Sequence, residues 1–289
     1  AHCLSLRFPF LTVSWRFPVY ICPMPPSVTL DGLSLTLADV VAVARDAARV
    51  AVAGEAVQRA ERSRKVVERA AVGDVPVYGI NTGFGKLAHV RIPPDQLLQL
   101  QRNLILSHCA GVGPPLPEGV VRAVMLLRAN VLLKETSGVR AVLAERLVDF
   151  LNAGIHPVVP EQGSVGASGD LAPLSHIARA LMGEGEVDYG GRVPATAALK
   201  KAGIAPLEFH AKEGISFING TQAQTAILAL LVHDARILWR TAHAAAAMSL
   251  EALRGTPVPF DERIHAARPH PGQIQSAALL RELLAEKAS

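Results

Sequence analysis

TQAQTAILALLVHDARILWRTAHAAAAMSLEAL, residues 221–253, is the longest stretch of the chain without glycine or proline, and its reading decides the fold class. Thirty-three Ala/Leu-rich residues in one helix would extend roughly 50 Å at 1.5 Å per residue. A helix that long and that apolar needs several helical neighbours to cover it, so the expected architecture is mainly α, a long-helix bundle assembled between subunits. Half of the residues are hydrophobic and only 19% are charged, which fits helix faces covered by partner copies.

Working outward, the remaining text is also helical, broken by short loops. Leu37, Val40, Val41, Ala44, Ala48 and Ala51 recur at helical spacing behind the start signals Thr36 and Asp39. Further helices are expected near 55–70, 96–109, 119–134, 139–152, 171–182 and 194–201, the last closed by Gly203, with a short hairpin or turn over 183–191. The final residues 273–284 again read as helix, and no glycine or proline closes it. Residues 1–23 differ from the rest. They hold Phe8, Phe10, Trp15, Phe17 and Tyr20 with Cys3 and Cys22, and they show neither helical nor strand periodicity. They are read as an atypical leader preceding a natural start at Met24.

Several functions receive no support. The net charge of +4 has its densest cationic stretch at Arg59–Arg69, where Glu61 and Glu68 intervene, and aromatics are 4% of the chain. That pattern is a solvated helix face rather than a nucleic-acid surface. Three cysteines, Cys3, Cys22 and Cys109, in no metal-ligand spacing suggest a reducing cytoplasm, with no disulfide framework and no metal. The apolar run Ile227–Val232 stops at His233-Asp234, short of a membrane span. Around Gly83-Phe84-Gly85-Lys86 a phosphate loop would need glycine at Ile80 and a hydroxyl at Leu87. Around Ser168 a nucleophile elbow would need glycine at Asp170.

The chemically informative segment is Gly163-Ser-Val-Gly-Ala-Ser-Gly-Asp-Leu-Ala-Pro-Leu-Ser-His176. Read alone, Ala167-Ser168-Gly169 is first a Gly/Ser turn, with Asp170 capping the helix from Leu171. It also has the parts for an internal cyclisation, because Gly169 presents an unhindered amide nitrogen and a permissive backbone. Attack of that nitrogen on the Ala167 carbonyl, with loss of the carbonyl oxygen and of the Ser168 hydroxyl as two waters, would give a 4-methylideneimidazol-5-one.

The segment resembles the cofactor motif of the histidine/phenylalanine/tyrosine ammonia-lyase family. Three other stretches are similar to motifs of that family in the same order: Tyr78-Gly-Ile-Asn-Thr-Gly-Phe-Gly85, Gln101-Arg-Asn-Leu-Ile-Leu-Ser-His108 and Phe217-Ile-Asn-Gly-Thr-Gln222. Pro259-Phe-Asp-Glu-Arg-Ile-His265 adds a structural match, and the likeness covers about residues 28–289. It implies that Ala167, Ser168 and Gly169 are cofactor precursors, that Tyr78 is an acid/base beside the substrate, and that Asn219 makes a polar contact to substrate or cofactor. It also implies that His108 selects the substrate side chain. Without the family, Tyr78 reads as a ring packed on a helix, Asn219 as a cap of the next helix and His108 as a partner of its own helix end. Asp170 and His176 are expected outside direct substrate contact, with Asp170 assisting ring closure by polarising the backbone; Glu184 is given no role.

The Ser107-His108 pair resembles the histidine-specific branch. The implied reaction converts L-histidine to trans-urocanate and ammonia in a homotetramer whose active sites are shared between subunits. A tyrosine or phenylalanine lyase, or an aminomutase, is the nearest alternative; a non-catalytic helical assembly subunit is another, which would have no reason to keep the tripeptide with Tyr78, His108 and Asn219. The likeness further implies that 24–289 is the N-terminal and partial central region of a longer helical protein, whose C-terminal portion supplies a tyrosine, an arginine and a glutamate, so the 289 residues alone are expected not to turn over substrate.

Overall fold

The computed structural model describes residues 27–164 and 169–285. The leader expected over 1–23, and the precursors Ala167 and Ser168, lie outside the described residues.

Strands β1 (Ser27–Leu30) and β2 (Arg49–Val52) pair in parallel, with Ser27 opposite Arg49 and Leu30 opposite Val52. Between them runs α1 (Leu37–Arg45). Thr36 begins it with a reciprocal capping box, its hydroxyl accepting from Asp39 N while the Asp39 carboxylate accepts from Thr36 N. The helix expected to continue through Ala48 and Ala51 stops at Arg45 instead. Ala47 takes φ +51°, and the Ala48 N–H reaches back to the Ala42 carbonyl at 3.1 Å, closing a left-handed cap. The chain leaves that cap as β2, so Ala51 belongs to a strand.

Helix α2 (Gly54–Val72) leads through an irregular loop to α3 (Leu97–His108). After β3 (Val112–Pro115), α4 (Glu118–Leu132) forms the centre of the bundle, packed by α1, by α5 (Val142–Ala153) and by α9 (Gln222–Ala252). Its residues Val121–Leu126, Arg128, Ala129 and Leu132 are all buried, so it is covered on nearly every side. Two of those residues are arginines, and each resolves a backbone problem. Arg122 donates to the Val43 carbonyl at 2.7 Å, the Leu151 carbonyl at 3.2 Å and His156 Nε2 at 3.0 Å. Orphan carbonyls at helix ends thereby gain donors inside the core.

The short strands β4 (His156–Pro157) and β5 (Pro160–Gln162) precede the Gly163 segment, and β5 pairs antiparallel with β3. Helix α6 (Leu171–Leu181) follows. The hairpin expected near 183–191 is β6 (Glu186–Asp188) with β7 (Arg192–Pro194), and β4 joins its outer edge. Then come α7 (Ala195–Ala202), closed as expected by Gly203 at φ +69°, and α8 (Glu213–Ile218).

Helix α9 (Gln222–Ala252) spans 31 residues, about 46 Å. It is buried at Gln222, Ala223, Ala226 and Leu230, where it crosses α4, and again at Ala247. Helices α10 (Glu262–Ala266) and α11 (Pro271–Leu284) fold back, with α11 against α9. Residues Glu213–Ala252 do have the length and, in their most apolar window, the mean hydropathy (1.3) of a membrane-crossing helix. Reading the apolar run as ended by His233-Asp234 understated this, because hydropathy averages across such interruptions. The helix lies against α4, and Asp234 in its middle forms a bidentate pair with Arg45 at 2.6 and 2.7 Å.

Candidate active site

The loop after α2 is stapled by one side chain. Asn81 is buried; its Oδ1 accepts from Val77 N at 2.7 Å, and its Nδ2 donates to the carbonyls of Ala70, Gly73 and Val75 at 3.1, 3.3 and 3.0 Å. Gly79, at φ +73°, gives the sharp turn that buries Ile80, Asn81 and Thr82 and leaves Tyr78 projecting outward. Tyr78 is 58% exposed. Its ring meets Phe84, in its own loop, edge-on at 6.2 Å.

Asn219 lies between α8 and α9, exposed, as the residue that ends α8. Thr221, not Asn219, occupies the capping position of α9, and it makes no side-chain cap bond. Tyr78 and Asn219 line the same open cavity of about 320 Å³, together with Arg128, Lys212, Ile215 and Ser216. The structure thus brings together two motifs separated by 140 residues.

The described end of the tripeptide meets this loop directly. Gly169 has φ +128°, in the range that favours glycine, and a Cβ there would lie 2.6 Å from the Gly220 oxygen and 2.8 Å from its nitrogen. The next amide, Asp170 N, donates to the Gly220 carbonyl at 2.6 Å. Only glycine fits at 169. Asp170 is fully buried. It stands at the start of α6 but makes no side-chain cap bond there. Its carboxylate instead accepts from Ser164 Oγ at 2.5 Å, from Gln224 N at 2.9 Å and from Gln224 Nε2 at 2.8 Å. It therefore caps the first turn of α9 from outside that helix, where a negative charge is favoured.

His108 ends α3, and its Nδ1 lies 2.8 Å from the Leu104 carbonyl and 3.1 Å from Ser107 Oγ. With Nδ1–H donating to that carbonyl, Nε2 is the acceptor face of the ring. His108 is not among the described residues lining the Tyr78–Asn219 cavity. Its helix packs against α6 and α8, the elements that flank Gly169 and Asn219.

His176, on α6, accepts at Nε2 from Gly111 N at 3.2 Å. Gly111 in turn crowds Gly163, where a Cβ would come within 2.9 Å of Gly111 Cα. Burial, helped by Arg179, holds the His176 pKa below its ordinary value, so the ring stays neutral as an acceptor. Glu184 pairs with Arg102 at 2.6 Å and shares a separate cavity with His176 and Arg179.

Sequence reasoning did not single out Arg128, Lys212 or Asn81. Arg128 carried a signal: a cation inside the apolar run Met125–Leu133 must find buried acceptors.

The chain matches the aromatic amino acid lyase family over residues 35–289. It belongs to that family. Histidine ammonia-lyase of Bacillus subtilis is 51% identical over 260 residues, 90% of this chain and 51% of the relative. That of Koribacter versatilis is 53% identical over 89% of this chain and 50% of its own length. The chain thus spans about half the length of the relatives it matches. Among solved structures, histidine ammonia-lyase from Trypanosoma cruzi superposes with a TM-score of 0.81 at 42% identity, covering 88% of this chain and 49% of that one. Tyrosine aminomutase from Streptomyces globisporus superposes at 0.82 and 41%, covering 89% and 48%. The mainly helical architecture expected from residues 221–253 is that of these lyases and aminomutases.

Proposed function

We propose that this chain belongs to an enzyme that eliminates ammonia from L-histidine to give trans-urocanate. The observation that carries the reading is the packing of Gly169 on Gly220, the residue next to Asn219, which lines one cavity with Tyr78. Relatives named histidine ammonia-lyase at about half identity support histidine as the substrate.

The cofactor is the 4-methylideneimidazol-5-one formed by Ala167, Ser168 and Gly169. The Gly169 nitrogen bonds to the Ala167 carbonyl carbon, whose oxygen leaves as water. The Ser168 hydroxyl leaves with the Ser168 α-hydrogen as a second water. A glycine at 169 with no room for a side chain fits that ring. Once formed, the group supplies an electrophile that no ordinary side chain offers, an electron sink for loss of a poor leaving group.

The chain's own residues carry the remaining work. Tyr78 is solvent-accessible, on a loop held by Asn81, and is assigned proton transfer at the substrate's β-carbon. Asn219 offers an amide to the amino-acid end of the substrate or to the ring. His108 is assigned the imidazole of the substrate, since a polar wall rejects apolar analogues of a polar side chain. Active sites are shared between the subunits of a homotetramer.

Assay of the full-length protein with L-histidine, L-tyrosine and L-phenylalanine tests the substrate. Urocanate formation from histidine well above product formation from the other two is expected. A second reading, an aminomutase, has the likeness to tyrosine aminomutase behind it, and β-amino acid formation from tyrosine would establish it in place of the first.

A further inference from the structure

We propose that Arg128 is a positioning residue that clasps the α8–α9 loop at both ends and fixes Gly220 as the floor against which Gly169 is held for ring closure. The inference rests on the cyclisation reading above.

Arg128 is 2% exposed on the central helix α4. Its Nη1 donates to Gln222 Oε1 at 2.7 Å, and its Nη2 donates to the Ser216 carbonyl. Ser216 and Gln222 bracket the segment that contains Asn219 and Gly220, so one planar fork holds both ends of the loop. Phe217, inside that segment, lies with its ring centroid 6.0 Å from the guanidinium carbon. There is no slack between the loop and the fork. A Cβ on Gly220 would overlap the Arg128 guanidinium and the Gln222 carboxamide. On its other side, the Gly220 backbone touches Gly169 and accepts from Asp170 N. Arg128, Gly220 and Gly169 are therefore one continuous stack from the middle of the bundle to the cyclising nitrogen.

The cost of this arrangement argues against a purely packing role. Burial pushes the Arg128 pKa down to about 10, still ionised at neutral pH, and its Nε has no partner among the described residues. No carboxylate pairs with it among the described residues. A leucine would fill the same register without a buried charge. What leucine cannot do is bridge two acceptors six residues apart in fixed geometry. Lysine cannot do so either, since an ammonium is a single point donor group on a flexible stem.

The test is intact-mass analysis of the full-length protein expressed from its own gene, with Arg128→Lys, Gln222→Leu and Gln222→Glu beside the wild type. In wild type the chains should be lighter by two waters. In Arg128→Lys and Gln222→Leu the fraction carrying that deficit should fall several-fold, with kcat per chain falling in proportion and assembly unchanged. Gln222→Glu keeps an acceptor for Nη1 and should restore the wild-type fraction. A merely structural role would lower the melting temperature without changing the fraction. Full two-water loss in both Arg128→Lys and Gln222→Leu would overturn the proposal; if Arg128→Lys fails to fold, the Gln222 pair decides alone. Absence of the deficit in wild type would instead remove the cyclisation reading, and this inference with it.

Discussion

Every hydrogen-bonding group of the Asn81 side chain is directed at backbone, and the position of Tyr78 follows from that. Removing the side chain in Asn81→Ala leaves one amide and three carbonyls without their partner in a buried turn. At ~1 kcal/mol per net hydrogen bond, partly offset by water entering, the expected loss is about 2–4 kcal/mol, read by urea denaturation. Asn81→Asp should be worse, because a carboxylate oxygen would face three carbonyl oxygens. A loss below about 1 kcal/mol in both would show that the turn holds itself. His176 makes a pH-dependent contribution at the same scale. Its folded pKa lies below the ordinary value, so the unfolded chain binds a proton first as pH falls. Stability should therefore be intact above the unfolded value of roughly 6.5 and decline as pH drops from there toward the folded value. His156, also lowered by burial, adds to the same window. Only the difference between wild type and His176→Gln isolates His176: melting temperatures of the variant should fall less steeply between pH 6.5 and 5. Parallel curves would show that the Gly111 contact does not depend on the neutral ring.

At the scale of elements, the Thr36–Asp39 box gives a direct case. Thr36→Ala should cost about 1 kcal/mol in thermal or chemical denaturation, and Thr36→Ser should recover most of it. The capping residues were visible in the sequence, as were the longer helices, because apolar residues at three- and four-residue spacing leave few alternatives; the short α8 and α10 have too few turns to show that spacing. The end of α1 was not visible. Ala48 and Ala51 keep the helical spacing, and alanine's preference for helix masks the β-branched Val50 and Val52 that go into the strand. Ala47 must adopt a left-handed conformation that a glycine would have advertised. The parallel pairing of β1 with β2 was hidden for a related reason: four-residue strands joined through a helix carry no pattern longer than their own length. The candidate site was legible as separate motifs, Tyr78, His108, Gly169 and Asn219, but not as an arrangement. Nothing in the order of the chain announces that Gly169 lands on Gly220, or that Asp170 caps α9 rather than α6. Those contacts join segments about fifty residues apart, and only the bundle decides them.

At the scale of the molecule, the exposed face of α9 poses the physical question. Before residue 231 the helix buries Gln222, Ala223, Ala226 and Leu230; beyond it, Ala247 is the buried residue. Leu228, Leu231 and Leu238 are 61%, 58% and 70% exposed, and Trp239 and Met248 add to the apolar surface. Spacings of three and seven put the three leucines on one stripe. A stripe of that kind on a helix of about 46 Å would be unusual if it faced water. The homotetramer proposed above gives it a partner, and the expectation is specific to charge. Leu231→Lys with Leu238→Lys in the full-length protein places two cations on the stripe without touching Gln222, Gln224 or the Arg128 clasp. If the stripe lies between subunits, each desolvated cation lacks a counter-charge and assembly should fail at concentrations where the wild type assembles, as read by sedimentation. Two-water loss at residues 167–169 should persist in that variant if ring closure needs only the Arg128–Gly220–Gly169 stack within one chain. Wild-type sedimentation and melting temperature in the double variant would place the stripe in solvent and leave the covering of α9 to be sought on another face.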